Sequence, residues 1–200
     1  MASSRQTRII LEVLEGLPSI AFILTWRQSG DLELAGWIGC GLAFAVLAVF
    51  RILKGRMHPV LLGVNCHMLV VTPLIVGMFR FGDRSIAELL VPYSHGAVLL
   101  TVTLVGVALT LFTPAGFAGV PELAARLRTR LSLSMICVSA AGAAWALAVP
   151  GRALLPVVAT LTVLIIGRRL LLARWLDDTA AAVLLAPGVS GAPQHVELSA

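Results

Sequence analysis

Residues 34–56 read LAGWIGCGLAFAVLAVFRILKGR, an uncharged run from Leu34 to Phe50 that closes in Arg51, Lys54 and Arg56. A hydrocarbon layer of ~30 Å needs about 20 apolar residues in a helix. The run is long enough to cross such a layer. The basic residues after it are of the kind that hold a helix end on the cytoplasmic side. The rest of the chain repeats this unit. Apolar residues make up 58% and charged residues 12%, far from the balance of a water-soluble domain.

Six stretches reach spanning length: residues 9–26, 34–53, 59–79, 89–112, 131–149 and 153–172. They are long and continuous, so they read as helices and not as the short alternating strands of a barrel. The fold class expected is therefore an all-α integral membrane protein, a bundle of six transmembrane helices. The first stretch is the weakest, since Glu12, Glu15 and Pro18 interrupt it. Arg5 and Arg8 would suit a signal peptide, but two glutamates spoil its apolar centre and no small-residue cleavage site follows. It is read as a retained helix.

The basic residues fall on alternate sides. Arg5, Arg8, Arg51, Lys54, Arg56, Arg126, Arg128, Arg130, Arg168, Arg169 and Arg174 share one face, against Arg27, Arg80, Arg84 and Arg152 on the other. That asymmetry places both termini in the cytoplasm, which requires an even number of spans. Residues 1–8 are then a cytoplasmic N-terminus and residues 9–175 the membrane domain. Residues 176–200 form a cytoplasmic tail, helical to about Leu185 and disordered from Pro187, where Pro, Gly and Ser take over. In the long gap from Thr113 to Arg130, Pro121 and Glu122 suit the start of a short interfacial helix. Arg80, Arg84, Asp83 and Glu88 read as a self-neutralising outer loop.

The net charge of +5 does not indicate nucleic acid, because the basic strips carry no interleaved aromatics and no soluble module presents them. Its partner is the anionic surface of the lipid bilayer. Fourteen Arg against one Lys, with abundant Ala, Leu and Val, is a coding bias of GC-rich bacteria. Small residues recur four apart at Ala35, Gly39 and Ala43 and again at Ala140, Ala144 and Ala148. Such stripes let helices approach closely, either within the bundle or between two copies or other membrane proteins.

Polar groups at membrane depth are functional suspects because they are costly to place there. The candidates are Glu12 and Glu15 in the first span, Asn65 and His67 in the third, and Tyr93 and His95 in the fourth. At 1.5 Å per residue, Glu15 lies ~9 Å and His67 ~12 Å inside the cytoplasmic boundary, with Asn65 between them. These three can meet there, either as packing glue between helices or as a proton-handling or substrate-binding pocket. His95 lies ~9 Å below the outer boundary. Two axial haem ligands share a level, and these two histidines do not, so no haem is expected. Cys40, Cys66 and Cys137 lie singly in apolar runs and show no metal or disulfide spacing. No nucleotide, hydrolase or metalloprotease motif occurs, so no cofactor and no metal are expected.

Several of these features together resemble the intracellular septation protein A family. They are Leu17-Pro18 followed by Phe22, a short outer turn with Asp31, and a second helix closing at Arg51, Lys54 and Arg56. Leu111, Phe112, Thr113 and Pro114 end the fourth helix, and a fifth contains Trp145. The likeness covers most of residues 9–175. It implies a bacterial inner-membrane protein that supports cell-envelope integrity or division through protein partners, without catalysis. The chain departs from the family pattern at Ala87 to Tyr93, where basic and Trp residues are replaced. A second reading is an intramembrane enzyme acting on a hydrophobic, isoprenoid-type small molecule. Glu15 would be its acid, with His67 or Asn65 orienting it, as in a cyclase. A third is a small exporter or immunity protein.

Reporter fusions check the threading. Fusions at Arg56, Arg128 and the C-terminus are expected to report cytoplasm and one at Asp83 the opposite side; a C-terminus on the outside would overturn the six-span count.

Overall fold

The computed structural model describes the backbone of residues 2–53, 55, 57–82, 84–149 and 154–185, and their side chains except at 2–12, 84, 87, 95 and 176–185. Among the described residues it is helical with no strand: α1 (Ala2–Ser29), α2 (Leu32–Ile52), α3 (Pro59–Phe81), α4 (Arg84–Leu90), a 3-10 turn (Val91–Tyr93), α5 (Ser94–Phe112), α6 (Ala125–Ala148) and α7 (Leu154–Leu185). Among these, four segments are long and apolar enough to cross a membrane: Leu32–Ile52, Pro59–Phe81, Ala125–Ala148 and Leu154–Trp175. Gly96–Phe112 is apolar but shorter. The tail beyond Leu185 lies outside the described residues.

The start signals are local. Asp31 accepts from the backbone N–H groups of Glu33 and Leu34 at 2.9 and 3.1 Å and so caps α2. Pro59 opens α3, where its missing N–H costs nothing and its fixed φ suits the helix. Near their midpoints the helices carry apolar side chains outward: Phe44 is 68% exposed, Val70 62% and Leu104 61%. Apolar side chains all round the bundle are what a hydrocarbon solvent permits and water does not.

Each long helix packs on its neighbours in sequence. α1, α2 and α3 form one three-helix unit and α5, α6 and α7 another. They join where α3 lies on α5, and α7 also reaches α3. Gly63 makes that junction close, since a Cβ there would stand 2.8 Å from the Val102 Cα. Gly142 does the same for α6 against Thr160 of α7. One core cluster, with Val60, Val64, Val102, Phe117, Leu131 and Leu164, lies toward the end where α3 and α6 begin. We call this the basic end. A smaller cluster of Leu99, Ala143, Ala146 and Val157 lies toward the other.

Three expectations change. The stretch 89–112 is not one helix: the 3-10 turn around Pro92 divides it, because proline offers no N–H to continue the ladder. His95 therefore falls in the first turn of α5 and not a third of the way down a span. The gap after α5 holds no separate interfacial helix; turns run from Pro114 to Gly119, and α6 starts directly at Ala125. Arg80 pairs with Glu33 of α2 at 3.0 Å, on the surface; Asp83 and the side chain of Arg84 lie outside the described residues. The two small-residue stripes also differ. Ala35, Gly39 and Ala43 are buried, with Gly39 against Phe22 and the Pro18 carbonyl, whereas Ala140, Ala144 and Ala148 face outward. α6 packs inward through Ser139, Gly142, Ala143 and Ala146 instead.

Overpacking tests the junctions. Gly63→Leu and Gly142→Leu are each expected to destabilise the protein by about 1–3 kcal/mol, seen as a lower thermal midpoint in detergent. Gly41→Leu, where a Cβ meets open space, should leave the midpoint unchanged; equal losses in all three would contradict the packing described.

Candidate functional site

The basic end of α3 gathers the buried polar groups of the molecule's first half. His58 is the N-cap residue of α3, and its side chain makes no capping bond. Its backbone N–H instead donates to Glu15 Oε1 of α1 at 3.1 Å. This is the reach-back that a capping-box glutamate makes within one helix, here made by another helix. Two turns further along, Asn65 Nδ2 donates to the Glu15 carbonyl at 3.2 Å and lies 3.9 Å from Met57 Sδ. Glu15 is 7% exposed and Asn65 1%. Two residues therefore clamp α1 to α3.

α7 and the loop after α5 close the same corner. Arg168 Nε donates to the Ala118 carbonyl at 2.7 Å, and its charge interacts with that of Glu15. The loop passes tightly here. Gly119, at φ 72°, leaves no room for a Cβ, which would stand 2.8 Å from Pro59 Cγ and 3.2 Å from Arg168 Nη2. Phe117 is fully buried against Gly106. The Phe117 N–H donates to Thr110 Oγ1 at 3.3 Å and the Ala118 N–H to Ser132 Oγ at 3.1 Å. Both ring nitrogens of His58 and Asn65 Oδ1 are buried without a hydrogen-bond partner among the described residues. Such orphans are uncommon in folded proteins. Burial, with Arg168 and Arg169 adding repulsion, pulls the His58 imidazole down from its usual range to about 4.

Of the expected trio of Glu15, Asn65 and His67, the structure joins Glu15 and Asn65 by a hydrogen bond. Asn65 and His67 stand two positions apart on a helix, about 200° around its axis, so they face different neighbours. His67 turns to α5, its Nδ1 3.3 Å from Thr101 Oγ1. The Thr101 hydroxyl proton goes to the Ala97 carbonyl at 2.9 Å, which makes the imidazole the donor in this pair. Further toward the other end, Ser139 of α6 meets Thr103 at 2.8 Å and the Leu99 carbonyl at 3.3 Å. Tyr93 is exposed in the 3-10 turn, far along the chain's fold from Glu15. The side chains of Glu12 and His95 lie outside the described residues.

The sequence reads Arg168 as a topology signal. A signal for Arg168 existed: it sits inside the apolar segment Leu154–Trp175, where a charge is unexpected. For His58 the clue is weaker, its place immediately before the proline that opens α3. Two surface grooves, of about 320 Å³ beside Leu47, Arg51 and Met57 and about 480 Å³ beside Arg126 and Arg130, include none of Glu15, Asn65 and His67. Among the described residues no three His, Cys, Asp or Glu side chains come together as metal ligands.

The neutral imidazole carries a pH consequence. Unfolded, His58 takes a proton near pH 6.5; folded, it stays neutral down to about pH 4. The unfolded state then binds more protons, so stability is lost as pH falls from about 6.5 toward 4. Thermal midpoints of the wild type are expected to drop across that window more steeply than those of His58→Gln; parallel profiles would show that the ring is not held neutral.

No family model matches the chain, and neither the curated proteins nor the solved structures contain a match to it.

Proposed function

We propose that the chain is a six-span bacterial inner-membrane protein, both termini cytoplasmic, that supports cell-envelope integrity or division by holding protein partners and not by catalysis. One observation carries this reading. The polar side chains at depth serve to tie helices together: Glu15 to the α3 N-terminus, Asn65 to the Glu15 carbonyl, His67 to Thr101, and Ser139 to Thr103. The likeness of residues 9–175 to the septation protein A family supports the cellular role. The basic asymmetry supports the orientation. The outward Ala140, Ala144 and Ala148 face of α6 is the surface on which a partner helix, or a second copy, would pack.

One observation favours the isoprenoid-type enzyme as a second reading. His58 and Asn65 keep unpaired polar atoms beside the Glu15 carboxyl, and an acid–base site needs polar groups held ready near an acid.

Complementation of a deletion strain separates the two. Glu15→Gln keeps a hydrogen-bond acceptor for the His58 N–H and is expected to restore normal envelope and division. Ala140→Leu with Ala144→Leu is expected to fail while reaching the membrane at wild-type level. A product formed from a polyprenyl substrate by purified protein, and lost in Glu15→Gln, would reverse the order of the two readings.

A further inference from the structure

We infer that the groove between the end of α2 and the start of α3 is a binding site for one phospholipid with a net negative headgroup. The groove is open along one side, has a volume of about 320 Å³ and is lined by Leu47, Met57, Leu62 and Arg51. Phe50, only 5% exposed, forms its floor. Gly55 keeps the turn tight: its N–H donates to the Phe50 carbonyl at 3.0 Å, and a Cβ there would stand 3.2 Å from Phe50 Cδ1. Among the described residues the groove therefore combines an aromatic base, aliphatic sides and the Arg51 cation.

Its chemistry is that of an anionic amphiphile. The aliphatic walls suit an acyl chain, and the neighbouring Ile52 and Leu53, 77% and 62% exposed, continue the apolar surface. Arg51 is exposed and makes no ion pair among the described residues, so its guanidinium is open to a phosphodiester. The groove also lies between the C-terminus of α2 and the N-terminus of α3, whose partial charges oppose one another. The Arg51 cation is left to decide the preference. α2 has 21 residues and spans about 31 Å, so its end reaches the depth of the headgroups. The site rests on the chain lying in a bilayer; it does not depend on which partners the protein holds.

Native mass spectrometry of the purified full chain, incubated with equal amounts of phosphatidylglycerol and phosphatidylcholine, tests the site. The wild type is expected to retain phosphatidylglycerol about fivefold over phosphatidylcholine, the ratio that one basic residue near a headgroup supports. Arg51→Gln should lose that preference. Leu62→Trp, which fills the trench and keeps every charge, should lose the bound lipid. Arg126→Gln, equally basic but outside the groove, should behave as wild type. Equal retention of both lipids by the wild type, undiminished binding by Arg51→Gln or Leu62→Trp, or an equal loss in Arg126→Gln from a general basic surface would each overturn the site.

Discussion

A buried backbone N–H or C=O that leaves a helix must find its partner within the protein, because no water is there to supply one. The turn from Thr113 to Ala124 meets that constraint with three borrowed side chains. Thr110 takes the N–H of Phe117, Ser132 takes that of Ala118, and Arg168 serves the Ala118 carbonyl. With these contacts the turn can fold back into the bundle and place Phe117 in the core. α5 has only 19 residues, and the returning turn occupies space below its end. Even a partly buried arginine is costly without partners. Here the Ala118 carbonyl and the Glu15 charge offset that cost.

This arrangement also explains why the two three-helix units are not independent. Their large contact is apolar, α3 on α5 around Gly63 and Val102. Apolar contact gives little drive between helices surrounded by lipid tails, so close approach and hydrogen bonds carry more of the association. Both are present along α3, whose opposite faces present Asn65 to α1 and His67 to α5. The helix acts as the axis of the molecule because it begins with a proline, carries a glycine at its closest crossing and spends its polar residues in two directions.

The helices were largely legible in the sequence because each depends on a run of one solvent preference, which any window can read. The start of α3 was visible in Pro59, and Asp31 marked the turn before α2. The division at Pro92 was not, since the surrounding residues are as apolar as a span. The site was half legible. Depth follows from counting residues, and it brought Glu15 and Asn65 to one level correctly. Azimuth follows from how helices rotate against one another, which depends on contacts between residues far apart in sequence, and so His67 was misplaced. Arg168 was hidden by its neighbours: an arginine beside Arg169 near the end of an apolar run looks like an anchor. The two alanine and glycine stripes look alike as strings, yet one packs inward and the other outward, because only the packing partners decide which face of a helix turns to the core.

The outward stripe of α6 bears on how this bundle meets its surroundings. Alanine has no side-chain rotamers to lose when it is covered. Acyl chains sliding along such a smooth strip find few projections to interleave with. On such a surface, exchanging lipid for another polypeptide demands little ordering of the alanines themselves.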